Sequence, residues 1–163
     1  MVELSKAEQA YSYVIQKLQS NPNFGKTLFY KVLYFSDFDF YELFKKSITG
    51  SDYRKIDNGP APCKFDRTIS SLKAKGYVTE KRVQRHGVTQ IRYLVVPDVS
   101  FGGLSEDERK MLNKNIERLS GMNAKQVSAY SHQDMPYKAT KERAIIDYDL
   151  VFYRNPVFSA AQA

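Results

Sequence analysis

Residues 29–40, FYKVLYFSDFDF, set six aromatic rings, two acids and one lysine in a run without a helix breaker. At helical spacing Leu28, Val32 and Phe35 lie on one face, while Phe29, Leu33, Phe40 and Phe44 lie on another. A helix with two apolar faces has to be surrounded by protein. The stretch from about Lys26 to Lys46 is therefore predicted to be the central helix of a bundle, with Lys45 and Lys46 complementing its C-terminal dipole. Tyr30, Tyr34, Phe38 and Tyr41 remain once both faces are counted. Aromatics at this spacing are core by default, but rings with polar tips also suit interface centres, so part of this helix is expected to meet another protein.

The remaining punctuation predicts a mainly α fold with a small β element, an α+β helical bundle around the aromatic helix plus a hairpin resembling a wing. Residues 4–19 are amphipathic, with Ser5 and Glu8 spaced for a capping box. ITGSDYRKIDNGPAPCKF is the least regular segment; Gly50 and Gly59 permit unusual backbone, and Pro60 and Pro62 stiffen it. Pro62 is read as a first-turn proline of a third helix whose Phe65, Ile69 and Leu72 face inward, ending at Gly76. VTEKRVQRHGVTQIRYLVV reads as a hairpin around Gly87. LSEDERKMLNKNIERLSG carries a capping box at Ser105 and Glu108, and NAKQVSAYSH repeats the pattern with Asn123 and Gln126; Pro136 stops any continuation. AIIDYDLVFYR reads either as a final strand or as an ordered tail, and residues 156–163 as a flexible C-terminal tail.

Length bounds the chain at one domain: 163 residues, 42% of them apolar. No run approaches the ~18 apolar residues of a membrane helix, the first residues lack secretory character, and Cys63 is the sole cysteine. A cytoplasmic location follows as the expectation. A net charge of +7 favours polyanionic partners, nucleic acid or acidic protein.

Catalytic chemistry finds little footing. One cysteine and the separated His86 and His132 do not supply a metal site, and no cofactor is expected. Cys63 reads as a packed small residue, and there is no phosphate-binding glycine loop or nucleophile elbow. Asp37, Asp39 and Glu42 read as solvated or ion-paired near Lys45 and Lys46. No enzymatic activity and no small-molecule substrate are expected. Nucleic acid is the stronger rival: the third helix and hairpin outline a winged helix, and Lys73, Lys75, Lys81, Arg82, Arg85 and Arg92 form a cationic set able to neutralise phosphates. The same cations on strand edges also serve solubility.

Three segments together carry a resemblance. KTLFYKVLYFSDF, ITGSDYRKIDNGPAP and LSEDERKMLNKNIERLSGMNAKQVSAYSHQDMPYKAT resemble the Panacea domain, the SocA-like antitoxin family. Lys31, Leu33, Tyr34, Phe35 and Asp37 fit its first motif, Ile48, Gly50, Asn58, Gly59, Pro60 and Pro62 its second, and Ser131, His132, Pro136 and Tyr137 its third. The likeness runs over roughly residues 5 to 140, with residues 1–155 as the single domain it implies. It implies an antitoxin that blocks a cognate toxin, encoded by an adjacent gene, through direct contact. The residues expected at that contact or in the motif are Lys31, Tyr34, Phe35, Asp37, Phe38, Tyr41, Asn58, Gly59, Pro60, Pro62, His132, Pro136 and Tyr137. Among these, Gly59 and Pro60 are expected to shape a turn, Asp37 to accept amides of that loop, and His132 to be a buried hydrogen-bonding lock between helices. The alternative is a winged-helix-like DNA-binding regulator.

Overall fold

In the computed structural model, which describes residues 3–162, every other part of the fold is arranged around one helix. The elements are α1 (Lys6–Leu18), α2 (Lys26–Phe44), β1 (Tyr53–Ile56), β2 (Gly59–Pro62), α3 (Phe65–Ala74), β3 (Val78–Arg85), β4 (Val88–Val95), α4 (Glu106–Leu119), α5 (Ala124–Ser131) and α6 (Met135–Lys138), followed by a 3-10 turn over Tyr148–Tyr153. The predicted class, mainly helical with a small β element, is the observed one. From Leu28 to Phe40 only Tyr30 escapes full burial in α2. An all-round apolar pattern thus produces an all-round packed helix. Phe29 touches the rings of Tyr11, Phe24, Phe65 and Tyr93 at 5.0–5.5 Å, and Phe38 stacks on Tyr148 at 4.1 Å.

The helix starts are set locally. Ser5, Ser105 and Asn123 each accept the backbone N–H three residues on, and Glu8, Glu108 and Gln126 reciprocate to the cap amide. All three predicted capping boxes are present. Glu8 has a second duty: it accepts from Ser71 at 2.6 Å and pairs with Lys75 at 2.8 Å, fastening α3 to α1. Burial alone would raise this carboxyl, but the bonds from Lys75, Ser71 and Ser5 outweigh it and hold its pKa at about 2.

The wing-like hairpin pairs β3 with β4 from Val78↔Val95 to Arg85↔Val88. His86 and Gly87 form its two-residue turn with φ of 50° and 77°, the positive pair a type I′ turn requires. Arg92 donates to the Gln19 and Phe24 carbonyls at 2.7 and 3.0 Å and so pins the hairpin to the α1–α2 connection.

The predicted stiff corner is a second hairpin. β1 and β2 pair antiparallel, with Tyr53 opposite Pro62 and Lys55 opposite Pro60. Proline has no amide hydrogen, so the bonded pairs are Arg54 with Ala61 and Ile56 with Gly59, in step with the Cys63-to-Asp52 bond at 2.9 Å. The two prolines therefore leave no donor on the edge of β2 that packs on α2 and α5. The reading of Pro62 as the start of a helix is corrected: it closes β2, and α3 begins at Phe65. Cys63, expected to be packed, is exposed. Residues 143–146 lie along the free edge of β1, with Lys55 and Ile146 amides donating to Ala144 and Tyr53 carbonyls. The segment read as strand or tail thus supplies a short bridge and then the 3-10 turn. Pro136 does not merely stop α5; it opens α6.

The segment from Pro156, expected to be flexible, folds back onto α2. Phe158 is buried against Phe35 and Tyr130, and Ser159 and the Ala160 amide donate to Glu42. Its one large ring supplied the burial that its small-residue ending concealed. Ala163 lies outside the described residues. None of the described helices is long and apolar enough to cross a membrane.

Gly59 has φ of 113°, and a Cβ there would meet Ser131 Oγ at 2.5 Å and Lys31 Cε at 2.6 Å. Gly87 has φ of 77° with nothing within 4 Å. Gly59→Ala is expected to cost about 2–5 kcal/mol, strain plus overpacking, and Gly87→Ala only about 1–2 kcal/mol of strain. Urea denaturation of both variants checks the difference.

Candidate functional site

The motif residues converge on α2, and the structure gives most of them internal partners. Asp37 is wholly buried and takes four donors: the amides of Ile48 and Thr49 at 2.8 and 2.9 Å, the Thr49 hydroxyl, and Tyr53 Oη at 2.6 Å. Burial pushes its pKa up, and these four bonds oppose the rise. Its expected partners were loop amides, and it accepts amides where the irregular segment begins. Solvation, or pairing with Lys45 and Lys46, does not occur at Asp37.

Lys31 is also fully buried, beneath the β1–β2 turn. Its Nζ donates to the Pro60 carbonyl at 3.2 Å, and it forms no ion pair among the described residues. Desolvation lowers its pKa to about 7. Gly59 is what lets the chain pass over this amine and over Ser131. Tyr137 reaches the same turn by donating to the Ile56 carbonyl at 2.8 Å. His132 lies flat on the Tyr137 ring, centroids 4.8 Å apart, while its buried Nε2 finds no hydrogen-bond partner among the described residues. The expected lock at His132 is thus a stacked ring, and the bonding role belongs to Tyr137.

A third cluster was not anticipated. Arg154, its side chain fully buried, donates to Asp134 through Nε and Nη2 at 2.9 and 2.7 Å, and through Nη1 to Asp39 and Glu42 at 2.8 and 2.9 Å. Tyr34 Oη donates to Asp134 at 2.8 Å, and Asn115 and Arg118 reach Asp39 from α4. Burial would lower the guanidinium's affinity for its proton, but Asp134 and Asp39 raise its pKa above the ordinary arginine value. Asp39 remains raised, by burial against the pull of Arg154 and Arg118. Glu42 is lowered, because Ser159, the Ala160 amide and Arg154 together exceed the effect of burial. Asp39 and Glu42 are ion-paired as expected, but to Arg154 rather than to the helix-end lysines. An acidic cluster on α2 was visible in the sequence; an arginine over 110 positions away had no local signal.

Lys31, Tyr34, Phe35, Asp37 and Phe38 are each 0% exposed, which removes them from any contact surface of this fold. The expectation of a ring-lined docking face on α2 is corrected here, because the C-terminal segment and the β1–β2 hairpin cover those rings. Tyr41 is half-buried and donates to Asp149. Pro60, Pro62, Pro136 and Tyr137 are buried, Gly59 likewise, and Asn58 is exposed at the turn. Among the cations nominated for nucleic acid, Lys75 is held by Glu8, Lys73 lies 3.7 Å from Glu80, and Arg92 is spent on backbone carbonyls. Lys81, Arg82 and Arg85 are exposed on the hairpin. No group of three or more candidate metal ligands occurs among the described residues.

These motif groups define a scaffold: Lys31, Tyr34, Asp37 and Tyr137 each hydrogen-bond to a different segment of the same chain. Comparison with known families gives the scaffold its place. Residues 29–138 match the family described as antitoxin SocA-like, Panacea domain, and the chain belongs to that family. No curated protein and no solved structure matches. The match ends before Arg154, so this chain secures its Asp39 and Asp134 from outside the matched region.

Two outcomes follow from these buried charges. Lys31 binds its proton less tightly folded, with a pKa of about 7, than unfolded, where 10.5 is usual. The unfolded chain therefore holds more protons between those values, and the Lys31 contribution makes stability rise with pH across that window. Lys31→Met should raise the urea midpoint at neutral pH and remove that rise, measured from about pH 6 to about pH 9. Arg154→Met, by stranding three carboxylates, should cost about 3–5 kcal/mol or more in the same assay, and Arg154→Lys should recover only part of it.

Proposed function

We propose that this protein is an antitoxin that neutralises a cognate toxin, the product of an adjacent gene, by stoichiometric contact and without turnover. Membership of the SocA-like antitoxin family supports the antitoxin role. The observation that carries the contact mechanism is where the chain leaves large apolar side chains in solvent. Leu43 and Phe44 end α2, and Phe152, Tyr153 and Val157 lie on the C-terminal segment packed beside it, all between 44% and 77% exposed. Tyr41 links the two, 6.1 Å from Phe152. The interior already contains ample apolar material, so these rings are surplus to folding, and apolar patches of this kind mark partner sites. Because the surface rests on the Arg154 cluster, it is preformed and loses little entropy on association. A net charge of +7 speeds encounter with an acidic partner.

The test uses Phe44→Asp and Phe152→Asp, singly and together. Both positions are exposed, so urea midpoints should stay near that of the parent. Affinity for the co-expressed neighbouring gene product should fall about tenfold or more per variant, roughly 1.4 kcal/mol each, with loss of copurification and of growth rescue. A double variant that is folded and protects cells undiminished would remove this surface from the mechanism.

A further inference from the structure

The edge of a sheet carries unspent hydrogen-bonding groups unless something covers it, and most edges in this fold are covered. Residues 143–146 take the outer edge of β1, where the Lys55 and Ile146 amides donate to the Ala144 and Tyr53 carbonyls. Prolines leave β2 without donors on its outer edge, which packs on α2 and α5. β4 runs beside α1 and the connection to α2. Its Val95 amide donates to Gln19 Oε1 at 3.0 Å, and the Gln90 and Arg92 side chains reach the Pro22, Phe24 and Gln19 carbonyls.

β3 differs, and the register says which of its groups are free. The Val96 amide donates to the Tyr77 carbonyl at 3.0 Å, so residues 77 and 96 form a hydrogen-bonded pair. Alternation along an antiparallel ladder then bonds Thr79, Lys81, Val83 and Arg85 to β4 and turns the amides and carbonyls of Glu80, Arg82 and Gln84 outward. The Val95 amide, which points away from β3 to Gln19, has the phase this requires. Among the described residues no hydrogen bond from another element reaches the backbone of Glu80, Arg82 or Gln84. Glu80 is half-buried, and Arg82 and Gln84 are exposed.

We propose that this free edge of β3 accepts an extended acidic segment of another protein as a third strand. The outward groups of Glu80, Arg82 and Gln84 supply the backbone attachment, and side chains select the occupant. Lys81 and Arg85 share one face of the hairpin with Val83, while Arg82 lies on the other with Ile91. All three cations are exposed, whereas Glu80, the one acid in β3 and β4, is 3.7 Å from Lys73. A second copy of β3 would set these cations against one another, which is unfavourable across a strand pair; acids at alternate positions of an incoming strand lie beside Lys81 and Arg85 instead. The anchoring of β4 to the α1–α2 connection holds the hairpin in place beforehand, which lowers the ordering cost of association. The edge shares no residue with the surface around Phe44 and Phe152 and is independent of the antitoxin reading.

An acetylated, amidated octapeptide alternating valine and glutamate is the probe, titrated into the full chain and followed by 1H–15N NMR with amide hydrogen exchange. Saturable shifts along β3 are expected. Exchange at Glu80, Arg82 and Gln84 should slow about tenfold or more, while Lys81 and Val83, already bonded to β4, should change by less than about twofold. An equally charged peptide with glycine and proline in place of valine, and a valine–lysine octapeptide, should produce neither effect. Gln84→Pro removes one outward amide and spares the bonds to β4, so it should weaken the valine–glutamate peptide about tenfold or more. Gln84→Ala loses the same side-chain bond to Thr89 and should weaken it less than about twofold. The exchange pattern of the unsubstituted chain decides the question even if the proline variant unfolds. Absence of saturation would overturn the proposal, as would equal binding of the glycine–proline peptide, which would mean attraction of charge alone. So would protection of the same three amides on raising the protein concentration without peptide, the mark of a β3–β3 dimer, or a short DNA duplex that shifts β3 where the peptide does not.

Discussion

Arg154 is the group without which three others cannot stay where they are. Asp39, Glu42 and Asp134 have side chains between 0% and 6% exposed, and one guanidinium answers all three. Its planar fork grips Asp134 with two bonds and still leaves Nη1 for the α2 carboxylates, a geometry lysine does not offer. Burying such a group is expensive in isolation. Its position holds the end of the chain against the middle of α2 and the entry to α6, which in turn orients Tyr34, Phe158 and Glu42. The outer surface at the C-terminal end of α2 takes its shape from that arrangement.

The polar motif residues share a logic. Asp37 gathers the segment entering β1, Lys31 donates to the Pro60 carbonyl beside the β1–β2 turn above it, and Tyr137 reaches the same turn from α6. Each sits in the interior and immobilises backbone that would otherwise be loop. These buried groups therefore act as a frame, distinct from the side chains that the fold leaves in solvent. That separates two quantities easily confused in a motif: what keeps the fold, at Asp37 and Gly59, and what faces solvent, at Phe44, Phe152 and Lys125.

Local structure was readable wherever its cause was local. The three capping boxes, the hairpin around Gly87 and the surrounded aromatic helix each depend on residues within a few positions of one another, and each is found where the spacing put it. The family that the three motif segments resemble is the one the chain belongs to. Their burial was not readable. Tyr34 and Phe38 lay outside the two apolar faces counted along α2 and so looked available, but the covering comes from β1 and from Tyr148, far along the chain. Pro60 and Pro62 looked like breakers because proline removes a donor, and only the packing of β2 against α2 turns that loss into an edge that needs none.

Sequence by itself determined that this chain builds a helix wrapped in protein, capped neighbours, a basic hairpin and a Gly–Pro corner, since those follow from periodicity and from single-residue backbone limits. Tertiary structure decided which charges are spent and which are free. Arg154, Arg92 and Lys75 look like any other cations in a linear reading and are consumed inside the fold, while Lys81, Arg82 and Lys125 remain outside. The reason is that a buried charge is stable only beside its counter-charge or acceptor, and those partners are brought together by the packing of segments distant in the chain.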